Sequence, residues 1–227
     1  MTTTVRQGQG YLPALRFHWL TPLYDRLLAL TMREGTFKRA LLNQASLARG
    51  QRALDLGCGT GTLTLLARRR HPGVAVFGLD ADPRALAIAR AKAARAGLDP
   101  MFDESLATVL PYPDAFFDLV LSSLLLHHLT RDQKRRALAE VFRTLRPGGE
   151  LHVADWGAPR NALMRVAFLA VRLLDGFATT ADNARGDLPR LFRAAGLVAV
   201  AECAAYATPF GTLALYRARK PGTEEGA

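Results

Sequence analysis

The chain has 227 residues, 49% hydrophobic and 22% charged, which fits one folded domain and excludes a disordered or fibrous protein. Its two cysteines, Cys58 and Cys203, are too few for a disulfide framework or a cysteine-only metal site, and no metal ion is expected. The net charge of +10 attracts anionic partners, but it forms neither a basic tail nor a stripe interleaved with aromatics, so no specific nucleic-acid partner is expected.

In chain order, the opening MTTTVRQGQG has no apolar signal-peptide core, and no run of about 18 uncharged apolar residues follows, so a cytoplasmic protein without a membrane span is expected. Residues 11–32 read as an aromatic-rich helical lead-in carrying His18, Trp19 and Tyr24. Residues 51–57 predict a strand running into a glycine turn, and residues 61–70 a helix stopped by His71-Pro72-Gly73. A second strand spans 74–79, and a helix spans 83–96 with Pro83 in its first turn and Gly97 past its end. A short strand near Met101 and Phe102 precedes a fourth at 117–122. A charged helix at 131–145, with a solvated face, ends at Pro147-Gly148-Gly149, and a fifth strand covers 150–154. The apolar helix at 161–177 carries Arg165 and Arg172 on one face.

Strands separated by helices imply a parallel sheet with right-handed crossovers. The β-prone runs 197–206 and 212–219 are joined by only five residues, too few for a parallel crossover, so they must form a hairpin. The expected fold is therefore a doubly wound α/β sheet of seven strands, mostly parallel with one antiparallel strand near the C-terminus, plus helical lid elements. The expected organisation is a helical N-terminal lid at 1–45, a core at 46–220 with a lid insertion at 160–190, and a tail at 221–227.

The densest signal is Leu54-Asp55-Leu56-Gly57-Cys58-Gly59-Thr60-Gly61, a strand-to-helix glycine loop that lets a ligand approach the backbone closely. Thr62 stands where a dinucleotide fingerprint needs its third glycine, and no phosphate-cradling Gly-Lys-Ser/Thr follows. Asp55 is a poor neighbour for a pyrophosphate and a good one for a cation. Asp80, closing the second strand, can accept both hydroxyls of a ribose. Together these describe a pocket for a positively charged nucleoside, and they disfavour the rival reading of a nicotinamide-dependent oxidoreductase.

LDLGCGTG, GLDAD at 78–82, LPYPDAFFDLVLSSLLLHHL at 110–129 and LRPGGELHVADWG at 145–157 resemble the ordered motifs of class I S-adenosylmethionine-dependent methyltransferases. The similarity is greatest to the branch that includes ubiquinone/menaquinone-biosynthesis enzymes. The resemblance implies S-adenosyl-L-methionine as cofactor. It places Gly57, Gly59 and Gly61 along the methionine end, Asp55 near the ammonium, Asp80 on the ribose and Ala81 on the adenine. It also gives Ser122 a backbone contact to the ammonium and makes Tyr24 the lead-in tyrosine that closes over the methionine. Leu106 stands where the family often has an acid, so adenine recognition is assigned to the segment around Ser105 and Leu106. Cys58 lines the same loop and is expected to fill space rather than react.

His127 and His128 fall in the segment that faces the methyl group in this family, and a histidine titrates in the range useful for proton removal. With Asp155 they are the candidate catalytic residues. Trp156, at the carboxyl edge of the fifth strand, is a substrate candidate with His18 and Trp19. Ser122-Ser123-Leu124-Leu125 replaces the Asn/Asp-Pro-Pro-Tyr of base N-methylating enzymes, and no cysteine follows the fourth strand as base C5 methylation requires. The expected function is methyl transfer by in-line displacement to a small, apolar or amphipathic acceptor, in a monomer or homodimer. The alternative is a peripheral enzyme at an anionic membrane surface, acting on a phospholipid headgroup or an isoprenoid quinone precursor. A further rival is a regulatory module that binds the cofactor and transfers nothing.

Overall fold

The structure, a computed structural model, describes residues 34–223. The lead-in at 11–32, with His18, Trp19 and Tyr24, lies outside the described residues, as do residues 224–227 of the tail. Helix α1 (Glu34–Ala45) precedes strand β1 (Arg52–Leu56), and α2 (Thr62–Arg70), β2 (Ala75–Asp80), α3 (Pro83–Arg95) and β3 (Met101–Glu104) follow. Strand β4 (Phe117–Ser123) runs into a single 3-10 turn (Leu126–His128), then α4 (Arg131–Thr144) and β5 (Leu145–Trp156). Helices α5 (Ala162–Asp175), α6 (Ala181–Arg185) and α7 (Leu188–Ala194) lead to the hairpin of β6 (Val198–Thr208) and β7 (Gly211–Arg219).

The seven strands form one sheet in the order β3-β2-β1-β4-β5-β7-β6. Strands β1 to β5 pair in parallel, whereas β7 runs antiparallel to both β5 and β6. The central strands need apolar residues on both faces because helices cover both. Alternate residues divide accordingly. Leu54 and Leu56 of β1, Val120 of β4 and Val153 of β5 enter one core with Leu138 and Val141 of α4 and Leu191 and Phe192 of α7. Ala53 of β1, Leu119 and Leu121 of β4 and Ala154 and Trp156 of β5 enter the other, with Phe37, Leu41 and Leu42 of α1, Leu63 of α2 and Phe168 of α5. The chain steps outward from β1 to β2 and β3, then returns to place β4 on the other side of β1. That reversal opens a crevice beyond the carboxyl ends of β1 and β4.

Helix boundaries follow local chemistry. Asp82 caps α3 by accepting from Arg84 N, with Pro83 just inside. Thr130 and Gln133 form a reciprocal capping box at the start of α4. Two expectations need correction. Pro147-Gly148-Gly149 does not separate helix from strand but lies within β5, as an irregular start where the register against β4 shifts. Gly148 adopts a φ of 75° there, and its N–H donates to Lys220 O outside the ladder. The face of α4 is also not wholly solvated, because Lys134 is fully buried and donates to Thr179 O and to Asp182 of α6.

Candidate active site

The crevice is floored by the turn leaving β1. Gly57, Gly59 and Gly61 take φ values of 74°, 52° and 76°, which strain any other residue. A Cβ on Gly57 would lie 2.8 Å from Leu125 Cδ1, and one on Gly61 would lie 2.9 Å from Ala89 Cβ. At Gly59 a Cβ would meet nothing within 4 Å among the described residues, so this part of the turn is open toward them. The turn is tied to β2 by the N–H groups of Gly57 and Cys58, both donating to Leu79 O at 2.8 and 2.9 Å. Cys58 is buried, and burial together with the charges of Asp55 and Asp80 pushes its thiol well up, so it is a filler and not a nucleophile.

Two carboxylates face this turn. Asp80 accepts from Gly59 N at 2.7 Å through one oxygen and from Asp82 N at 2.9 Å through the other. Those bonds fix the carboxylate at the end of β2 and leave each oxygen a further lone pair. Asp55 is only 1% exposed; its Oδ2 accepts from Thr64 Oγ1 at 2.6 Å, while Oδ1 is buried without a partner among the described residues. Burial raises its pKa to about 6, against the downward pull of the Thr64 hydrogen bond and the Lys38 charge, with Asp80 adding a smaller upward push. A buried carboxylate oxygen with no donor is suited to a cationic group brought by a ligand.

Around this pair, Ser122 Oγ donates to Leu56 O at 3.1 Å and stitches β4 to β1 at the switch point. Ser105 N donates to Asp80 O, and its hydroxyl closes a turn onto Val109 O, with exposed Leu106 between them. Asp103, close upstream, accepts from Tyr112 Oη at 2.7 Å. Ala81 follows Asp80 in a bend, half-buried.

A second polar cluster lies beyond β4 and β5. Asp155 is fully buried and accepts from Leu126 N, Trp156 N, Asn183 Nδ2 and His127 Nδ1, the last at 2.8 Å. Burial alone would raise its pKa, but the charge and hydrogen bond of His127 hold it below the usual carboxylate range. Burial likewise disfavours the charged form of His127, yet Asp155, with help from Asp175, keeps its pKa above the ordinary value. Burial pushes His128 down to about 3, and the His127 charge acts in the same direction. The two imidazoles lie 4.0 Å apart, centroid to centroid. Trp156 packs on Phe168 at 5.6 Å and forms the wall behind His127.

The structure thus brings Asp55, the glycine turn, Asp80 and Ser122 to one end of the sheet, and gathers His127, His128 and Asp155 nearby. Sequence reasoning missed Thr64 and Lys38, the groups that act on Asp55, and Asn183 and Asp175, which complete the histidine cluster. Only Asp175 left a trace in the sequence, as the acid closing an otherwise acid-free apolar helix.

The methyltransferase-domain family profile matches residues 53–149. A demethylmenaquinone methyltransferase from Thermus thermophilus is 38% identical over 146 residues, covering 63% of this chain and 65% of the relative. A demethylmenaquinone methyltransferase from Deinococcus radiodurans is 33% identical over 166 residues, covering 72% and 68%. The chain therefore spans just under two thirds of the first relative's length. Among solved structures, a phosphoethanolamine N-methyltransferase from Haemonchus contortus, bound to phosphomonomethylethanolamine and S-adenosylhomocysteine, superposes with a TM-score of 0.67. It is 16% identical, and the match covers 82% of this chain and 52% of that one, a likeness of fold alone. The chain belongs to the class I S-adenosylmethionine-dependent methyltransferases, in the branch of the ubiquinone and menaquinone biosynthesis enzymes. The cofactor of the family is S-adenosylmethionine.

Proposed function

We propose that the protein transfers a methyl group to a small apolar or amphipathic acceptor, of the quinone-ring type named for its relatives. The observation that carries the reading is the unpartnered Oδ1 of Asp55 beside the open face at Gly59, with the carboxylate of Asp80 fixed opposite. When bound, S-adenosylmethionine supplies a methyl group already activated on a sulfonium.

The residues fit that group. Asp55 Oδ1 would accept from its ammonium, Asp80 would accept from the ribose hydroxyls, and the turn from Gly57 to Gly61 would admit its chain. Ala81, Ser105 and Leu106 would flank the base, and Ser122 closes the floor between β1 and β4. The protein's work is alignment and exclusion of water, because the displaced group needs no further activation. His127 borders the acceptor, held in one orientation by Asp155, which acts through it; His128 lies on the more open side. Tyr24, His18 and Trp19 belong to the lead-in segment that we assign to closing the site.

The exposed apolar row of α5, with Leu163 78% and Leu173 72% exposed beside Arg165 and Arg172, supports a peripheral approach to an anionic lipid surface from which such an acceptor is drawn. Among the described residues no helix is long and apolar enough to cross a membrane. Incubation with methyl-labelled cofactor and a lipid extract is expected to give one labelled quinone-like product by mass. Label found only in protein or nucleic acid, or in no product at all, would refute the acceptor class.

A further inference from the structure

Three metal-ligating side chains converge where the 3-10 turn after β4 meets the end of α5. His127 Nε2 lies 3.6 Å from Asp175 Oδ2, and His128 Nδ1 lies 3.7 Å from Asp175 Oδ1. All three ligand atoms fall within 4.8 Å of one another. The two histidine–carboxylate separations are too long for hydrogen bonds. The Asp175 side chain is only 4% exposed and faces both imidazoles.

The orientation of His127 sharpens this. Its Nδ1 is spoken for by Asp155, itself fixed by Leu126 N, Trp156 N and Asn183. With Nδ1 donating to Asp155, Nε2 is the nitrogen that faces Asp175, where it carries a proton in the free protein and can exchange that proton for a cation held between the two groups. A single proton cannot bridge 3.6 Å well, whereas a cation of metal size can. A carboxylate behind an imidazole, fixing its tautomer so that the opposite nitrogen can ligate, is the support that metal-binding histidines ordinarily have.

We propose that His127 Nε2, His128 Nδ1 and Asp175 form a binding site for one divalent first-row cation. Two imidazoles and a carboxylate suit zinc, and three protein ligands leave a fourth position for water or a ligand oxygen. Bond lengths near 2.1 Å set neighbouring ligand atoms about 3.4 Å apart in a tetrahedral site. The 3.6 and 3.7 Å separations run to the two different oxygens of Asp175, and one ligand atom from each residue lies within 4.8 Å of the others, so binding draws the imidazoles together around the carboxylate. Of the three side chains His128 is the one open to solvent, at 30% exposed. The inference rests on these residues alone and not on the methyl-transfer reading.

The test is titration of the chelator-stripped full chain with Zn²⁺ in competition with a chromophoric chelator, repeated with Co²⁺ for its visible absorption. The expected result is one equivalent bound, with cobalt bands of nitrogen and oxygen ligation. Asp175→Asn and His128→Gln are each expected to weaken binding at least about tenfold, with far-ultraviolet circular dichroism and melting unchanged. His128, at 30% exposed, is the decisive variant because its replacement disturbs packing least, and Asp175→Asn keeps the shape of a side chain as buried as His127. Absence of binding, affinity unchanged in both variants, or a thiolate charge-transfer band pointing to Cys58 or Cys203 would overturn the proposal.

Discussion

Asp55 keeps one carboxylate oxygen buried and without a partner among the described residues. Its pKa of about 6 exceeds the unfolded value of 3.8, so the empty protein binds a proton there that the unfolded chain has released. The sign follows: the stability of the ligand-free protein is greatest below about pH 4 as far as this group is concerned, and falls as pH rises to about 6, by about 3 kcal/mol in all. Asp55→Asn should remove that segment of the stability–pH curve, measurable by denaturant melts of ligand-free protein. A slope between pH 4 and 6 that survives in the variant would contradict the assignment. A cationic ligand reverses the balance by favouring the carboxylate, so cofactor affinity should fall about tenfold per pH unit below pH 6, read by calorimetry. Asp80→Ala removes the acceptor for Gly59 N and Asp82 N as well as for the ribose. At about 1.5–3 kcal/mol for each charge-assisted bond, a loss of at least about tenfold in cofactor affinity is expected. Both aspartates were legible because they bracket a glycine turn at recognisable places. Thr64 and Lys38 were not, since one lies inside the first turn of α2 and the other on a helix whose docking on the sheet no local pattern announces.

At the scale of elements, α4 begins with a reciprocal pair of hydrogen bonds. Thr130→Ala should cost about 1 kcal/mol, seen as a lower denaturant midpoint at unchanged slope. Stability unaltered by the change would mean that the cap contributes nothing. Helix α5 makes the complementary case. Phe168 and Val171 are buried while Leu163, Val166 and Leu173 face solvent, so the helix has one apolar row inside and another outside. Leu163→Ser with Leu173→Ser should leave the melting temperature nearly unchanged and reduce co-sedimentation with anionic vesicles. Equal co-sedimentation of variant and parent would remove α5 from any membrane contact. Elements with a regular apolar period were readable from the sequence to within a residue or two. The start of β5 at Leu145 was not, because Pro147-Gly148-Gly149 signals a break and here serves as an irregularity within a strand. The short helices α6 and α7 likewise escaped notice: neither is long enough to show a period, and α6 is held by buried Asp182 and Asn183 rather than by an apolar face.

For the whole molecule, the reversal of strand order beside β1 brings the chemistry to one end of the sheet, and that much followed from strand, helix and hairpin spacing. What did not follow is the arrangement of the second cluster, in which Asp155 from β5, His127 from the turn after β4, Asp175 from α5 and Asn183 from α6 meet only through tertiary packing. The central claim is that a sulfonium-bearing nucleoside lies on the turn after β1 with its sugar at the carboxylate ending β2. The most direct measurement is a crystal structure of the protein with S-adenosylhomocysteine. Density is expected over Gly59, with the amine on Asp55 Oδ1 and the ribose hydroxyls on Asp80; density elsewhere on the sheet, or a clear site left empty at saturating ligand, would contradict the account.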